Sequence, residues 1–300
     1  MSIFSRRSLL GSAFLIGMLP TSLLAADKPK EIRIDWATYN PVSMVLKDKG
    51  LLEKEFAKDG IGVRWVQTLG SNKALEFLNA GSIDFGSTAG SAALVTRKDT
   101  TIQKIEDLKG KRVAVTRGTD PHIFLVRALQ KVGLTEKDIT PVLLQHPDGK
   151  TALIRGDVDA WAGLDPMMAQ AEVEDGARLF YRNKAANTWG ILSTRIEFLK
   201  DHPDLVKRVI GVYEEARKYS LANYNEEKKA FQAATKLSDA IADIQLKQRT
   251  DLNYNKIGAE QHDSILQAGI ALQKAGIIKA DVDVEKAVNE LIDAKAAFTN

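Results

Sequence analysis

The chain has 300 residues, with 42 Lys and Arg against 39 Asp and Glu, and 44% of it is hydrophobic. Charges of both signs are interspersed without a polybasic block, so neither nucleic acid nor an anionic membrane surface is the expected partner. It contains no cysteine, which excludes a disulfide scaffold, cysteine-ligated zinc and attachment through a lipidated cysteine.

The first segment carries Arg6 and Arg7, an apolar run from Leu9 to Leu19, and the small residues Ala25 and Ala26. Residues 1–26 therefore read as an export signal. The apolar run is about half the roughly 20 residues that a bilayer-spanning helix needs. SRRSLL fits either the twin-arginine or the general secretory route. The signal holds two basic residues and no acidic one, which leaves 40 basic against 39 acidic residues. The mature chain is expected in the periplasm, with about 275 residues, enough for one large or two medium cores.

Periodicity then gives a strand over Glu31–Ala37, a loop TYNP, and a helix over Val42–Lys49 that stops at Gly50. A strand over Gly62–Gln67, a loop LGSN, a helix over Lys73–Ala80 closed by Gly81, and a strand SIDFG complete a βαβαβ unit. The order then repeats: strand Arg112–Thr116, loop RGTDP, helix His122–Val132, strand PVLLQ, loop HPDG, helix Thr151–Arg155 and strand DVDAWAG. At an offset of 75 residues Leu78, Gly81, Ile83 and Asp84 overlie Leu153, Gly156, Val158 and Asp159. Two matching element orders with this register point to a duplicated lobe. From about Phe198 the chain reads as successive amphipathic helices, which pack on the first lobe or on both.

Alternating strands and helices with short connections imply parallel strands and right-handed crossovers. The expected fold class is α/β, two Rossmann-like lobes around a cleft with a helical C-terminal region, and ligand belongs at the carboxyl ends of the strands. Residues 27–95 with 190–300 are expected in lobe 1 and residues 96–189 in lobe 2.

In DFGSTAGSAAL a strand ends in two glycines and small hydroxyl residues before an apolar, helix-like run. Free amides of a first helical turn there would favour an anion, with Ser87 and Thr88 adding hydroxyl donors; helix capping by either residue is the plainer alternative. Gly118 and Thr119 in RGTDPHIF form the mirror half-site, with Arg117 beside them. Asp165 follows the last strand of lobe 2, either facing the cleft or capping a helix at Pro166. Trp36, Trp65, Trp161 and Trp189 lie in or at the ends of strand-like segments, as core residues or pocket walls. His122 and His146 lack the spacing of a metal site. GxSxG, HExxH, GxGxxG and GxxxxGK[ST] are all absent, so no catalytic residue, metal or cofactor is assigned.

GLLEKEF, QTLGSNKALEFLNAGSIDFGSTAGSAAL, ALVTRKDT, DLKGKRVAVTRGTDPHIFLVRAL, GDVDAWAGLDPMMAQAE and NTWGIL together resemble the periplasmic solute-binding proteins of ABC importers for aliphatic sulfonates, within the wider group that takes up nitrate, taurine and thiamine precursors. The resemblance covers essentially the whole mature chain. It implies the periplasmic binding protein type II fold, closure of two lobes on a small organic anion, transfer to a membrane permease, and action as a monomer. Carried over residue by residue, the sulfonate would meet Ser87, Thr88 and Ala89, with Gly118 and Thr119 closing from the other lobe. Asn40, Ser71, Asn72, Trp161, Asp165 and Trp189 would line the organic tail or the rim.

The sequence departs from this pattern in one place. The family normally places a helix and a further strand, about 20 residues, between the GSTAGSAAL loop and the ALVTRKD strand, whereas here GSAAL runs straight into VTRKDT. A central strand and a crossover are then missing. Either the lobe leaves a sheet edge uncovered, or the run after Gly90 becomes a strand. The expected function is a binder of alkanesulfonates; another small anion, a periplasmic enzyme or a non-binding relic are the alternatives.

Overall fold

In Glu31–Trp36 apolar and polar residues alternate, and Ile32 and Ile34 are fully buried, so the segment forms a strand, β1, that presents one face to a core. The computed structural model describes residues 27–292; the export-signal reading of residues 1–26 lies outside them. β1 pairs in parallel with β2 (Gly62–Gln67) and with β3 (Phe85–Ser87), and β3 pairs antiparallel with β9 (Leu192–Thr194), giving the order β2-β1-β3-β9. Between them run α1 (Pro41–Asp48), α2 (Leu51–Phe56) and α3 (Ser71–Asn79).

The second sheet has the order β6-β5-β7-β4-β8, built from β4 (Ala92–Thr96), β5 (Arg112–Val115), β6 (Thr140–Leu143), β7 (Ala160–Leu164) and β8 (Arg178–Tyr181). Its helices are α4 (Asp120–Lys131), α5 (His146–Arg155) and α6 (Met167–Asp175). β5, β6 and β7 are parallel, while β4 runs antiparallel to both neighbours. Every residue of β4 is buried, Ala92 and Leu94 against the α4 side and Ala93 and Val95 against the α5 and α6 side. Such a strand, covered on both faces, reads as a continuous apolar run. Each large aliphatic or aromatic side chain so buried contributes about 1.5–3 kcal/mol.

The run after Gly90 is thus a strand and not a helix, because its apolar residues fill two opposite faces of one sheet. Among the described residues both sheets are continuously hydrogen-bonded, the first with four strands and the second with five. The sheets depart from the expected lobe boundaries at two places. Ala92–Thr96 pairs in the second sheet, and α11 (Ala259–Lys274) packs on α4, with the Gln130 side chain donating to the Ala271 carbonyl at 3.0 Å. The other C-terminal helices, α7 (Ile196–Asp201), α8 (Pro203–Ala222), α9 (Tyr224–Thr235) and α10 (Asp239–Asp243), cover the first lobe, where Phe198 meets Phe85 edge-on at 5.5 Å. A π-helical turn spans Ile244–Arg249, and α12 (Val284–Leu291) ends the described chain.

The duplication has a physical core. In the first lobe the Arg33 guanidinium and backbone amide both donate to Asp84, and Arg33 also donates to the Gly81 carbonyl. In the second lobe Arg112 makes the same set of contacts with Asp159 and Gly156. Gly81 and Gly156 take φ of +66° and +84°, the left-handed turn that ends each helix without a Cβ penalty. The helix expected at Thr151 begins earlier, at His146, because Pro147 sits in a first turn that needs no amide donor.

Candidate functional site

The carboxyl end of β1 delivers Asp35, which is fully buried. It accepts from the Thr68 hydroxyl at 2.8 Å and from the Ser87 amide and hydroxyl, both at 3.0 Å. Burial pushes its carboxyl up to about 6, against those hydrogen bonds. Tyr39 donates its hydroxyl to the Ser87 carbonyl at 3.1 Å. Ser87 is therefore held on all sides within lobe 1.

The chain then crosses to the other lobe through Thr88–Ser91, and the return crossover, residues 182–191, lies against it. The Thr88 amide donates to the Ile191 carbonyl at 2.8 Å, and the Ile191 amide donates to the Thr88 hydroxyl at 3.1 Å. A Cβ on Gly90 would fall 2.6 Å from the Gly190 nitrogen and 2.8 Å from the Thr188 carbonyl oxygen. The small residues of STAGS let two backbone crossovers touch. Since β4 follows, no helix begins at this loop and no helical first turn offers it free amides.

The helix N-termini that do meet belong to α3 and α4. Ser71, at the start of α3, donates its hydroxyl to Asp120 at 2.5 Å, and Asp120 is the first residue of α4 in the other lobe. The Thr188 hydroxyl, from the return crossover, donates to the other carboxylate oxygen. The Ala89 amide donates to Ser71 Oγ at 3.0 Å, and the amides of Ala89 and Asp120 also stabilise the carboxylate. Burial pushes this carboxyl up to about 6. Donors from lobe 1, both crossovers and lobe 2 thus converge on one acid group.

The other sequence candidates fall in several places. Gly118 is exposed, with its amide donating to His122 Nδ1 at 3.2 Å, and the buried Thr119 turns its hydroxyl to the Thr116 carbonyl at 2.7 Å. Asn40 caps α1 through Ser43 and donates to the Tyr213 hydroxyl at 3.4 Å. Trp161 is fully buried in β7 among the residues packed by α5 and α6. Trp189 stacks edge-on with Tyr254 at 4.9 Å. Asp165 accepts from the Ala169 amide at 3.1 Å, as a helix-start acceptor, and from Arg249 at 2.9 Å. Arg249 also reaches Glu172, so the C-terminal region is tied to lobe 2 by a buried ion-pair cluster. Asn72 lies across from lobe 2, its amide 3.5 Å from Gln145 Oε1.

Ser71, Ala89 and Asn72 are therefore the sequence candidates found at the lobe junction. Asp120 and Thr188 were missed. Asp120 stands in the very loop, RGTDPHIF, that the mirror half-site singles out, and its position before Pro121 was the available signal; Thr188 carries none. Among the described residues no cluster of three or more His, Asp or Glu side chains is placed to hold a metal ion, and no helix is long and apolar enough to cross a membrane.

The model of the NMT1/THI5 like family matches residues 89–227. The chain is 30% identical over 233 residues to a protein of Escherichia coli (strain K12) named as an aliphatic sulfonates-binding protein, covering 69% of this chain and 72% of that one. A Bacillus subtilis (strain 168) protein of the same name is 28% identical, covering 75% of each. The structure of the alkanesulfonate-binding protein SsuA from Xanthomonas axonopodis pv. citri, bound to MOPS, superposes with a TM-score of 0.80 at 24% identity, over 87% of this chain and 99% of that chain. Sequence relation and a shared two-lobed fold lead to one conclusion: the chain belongs to the aliphatic sulfonate-binding family of periplasmic solute-binding proteins.

Proposed function

We propose that this protein captures an alkanesulfonate between its two lobes in the periplasm and passes it to the permease of an ABC importer, as a monomeric binder that leaves its ligand unchanged. The observation that carries this reading is the convergence of the Ser71 and Thr188 hydroxyls and the Ala89 amide on one acid group where the lobes meet. An oxyanion needs such donors, and a hydrogen bond to a charged group contributes about 1.5–3 kcal/mol. In the structure Asp120 takes them. The sulfonate competes with Asp120 for these donors, and its oxygens accept from Ser71, Ala89 and Thr188 once Asp120 and α4 have moved aside.

The names of the relatives support a sulfonate over nitrate or sulfate. Isothermal titration of the purified chain with linear alkanesulfonates, sulfate and nitrate tests the reading. Sulfonates are expected to bind, and Ser71→Ala is expected to weaken them about tenfold or more, as loss of about 1.5 kcal/mol requires. Absence of heat with every sulfonate, or unchanged affinity in Ser71→Ala, would overturn it, as would conversion of the ligand during long incubation.

A further inference from the structure

His122, the third residue of α4, is fully buried, and both of its ring nitrogens are engaged. The Gly118 amide lies 3.2 Å from Nδ1 and can only donate, so Nδ1 presents a lone pair. The ring proton therefore sits on Nε2, which donates to Glu136 Oε1 at 3.1 Å. Glu136 opens the short turn Glu136–Asp138. Its carboxyl lies below the usual carboxylate range, through the hydrogen bond from His122 first and with the charge of Arg117 adding to it. A carboxylate, an imidazole and a backbone amide thus form one chain, with the tautomer fixed from both ends.

This chain holds the loop Arg117–Thr119, which leads directly into Asp120. Gly118 takes φ of +75° at the exposed apex of the loop, where an added Cβ would meet nothing within 4 Å. Thr119 precedes α4 but spends its hydroxyl on the Thr116 carbonyl and makes no side-chain cap. The His122 lone pair is thus a tie between the apex of the loop and the body of α4. Two residues after the apex, the Asp120 carboxylate takes the Ser71 and Thr188 hydroxyls. Turning Asp120 away from these donors turns the backbone before it as well, and the bond from the Gly118 amide to His122 resists that rotation.

We propose that His122 is a positioning residue for ligand capture: by accepting from the Gly118 amide it fixes Asp120 on the donors that the sulfonate needs, and so sets how strongly Asp120 competes. The proposal rests on the sulfonate reading above and adds to it a residue that touches no ligand. Nδ1 faces the loop and Nε2 faces Glu136, so the two contacts can be separated. Asn at this position places an amide oxygen near Nδ1, and Gln places an amide nitrogen near Nε2.

Nitrogen NMR of the histidine rings in the full chain should show His122 with its proton on Nε2 and a bare Nδ1; a proton on Nδ1 overturns the proposal. Titration with propane-1-sulfonate at about pH 7.5, where the Asp120 carboxyl, raised to about 6, is ionised, then measures the competition. His122→Gln can still donate to Glu136 but leaves the Gly118 amide unpaired, and it is expected to bind about fivefold more tightly than the parent, the factor for one lost hydrogen bond. His122→Asn restores an acceptor for Gly118 and should return the affinity toward that of the parent, a recovery that a merely structural role would not produce. Should His122→Gln melt well below the parent, Glu136→Ala carries the test, at a side chain that is 16% exposed. It leaves Nε2 without its acceptor and the ring free to turn, and binding is expected to tighten roughly twofold or more. Equal or weaker binding in the variant that carries the test, or His122→Asn binding as His122→Gln does, overturns the proposal and leaves the sulfonate reading standing; no binding of any linear alkanesulfonate by the parent overturns both.

Discussion

Replacing Asp120 by Asn keeps the shape of the side chain and removes its charge. In the native chain burial moves this carboxyl from about 3.8 to about 6, a gap of roughly two units worth about 3 kcal/mol at about 1.4 kcal/mol per unit. For a carboxyl raised on folding, the stabilisation is complete below the unfolded value and is lost as pH rises through the folded one. Asp35, also raised to about 6, works in the same sense, as does Glu227, pushed to about 7 by burial. His146 works in the opposite sense: its contribution, with the folded pKa down at about 4, is present above its unfolded value and disappears as pH falls. The pH profile of the native chain therefore sums several groups, but the difference between Asp120→Asn and the parent isolates one of them. Urea denaturation followed by tryptophan fluorescence, without ligand, should show that difference shifting in favour of the variant by about 3 kcal/mol between about pH 4 and pH 7.5. A difference that stays flat across that range would refute the view that Asp120 is buried as a charge at the lobe junction.

Gly90→Val should separate the two crossovers, since the added Cβ meets backbone atoms at 2.6–2.9 Å that cannot swing aside; a cost of at least about 1–3 kcal/mol, read as a drop of several degrees in Tm, is expected, and an unchanged Tm would refute the contact. Arg249→Met removes the cation hydrogen-bonded to Asp165, which is 1% exposed, and leaves it only the field of Arg182. That should cost about 3–5 kcal/mol in chemical denaturation, and a loss under about 1 kcal/mol would show that the cluster does not tie the C-terminal region to lobe 2.

Much of the fold is legible along the chain. The strands at Glu31, Gly62 and Arg112 and the helix stops at Gly81 and Gly156 follow from local periodicity and from the left-handed conformation that glycine adopts at no cost. The repeat at an offset of 75 residues marks positions that each lobe needs for the same reason, an aspartate that clasps an arginine of a parallel strand, Arg33 in β1 and Arg112 in β5. The run after Gly90 is harder to read. Ala92–Thr96 is short and apolar, and such a run suits a strand covered on both faces as well as a buried helix turn. The partners β7 and β8, more than sixty residues away in sequence, decide which.

The sequence by itself determined two α/β lobes, a cleft between them, and the family, because these rest on local periodicity, on turn chemistry and on long motif runs. Only the tertiary structure decided what the small-residue loop does and which groups meet at the junction. The amides of Ser87, Thr88 and Ala89 look free when read along the chain, yet each finds its partner in a distant segment: Asp35, Ile191 and Ser71. Asp120 reads as an ordinary first-turn acid, and it becomes the hub of the lobe junction because two helix starts from opposite lobes and both crossovers approach one point. A buried polar group must pair wherever the fold carries it, and that location depends on how the lobes are brought together.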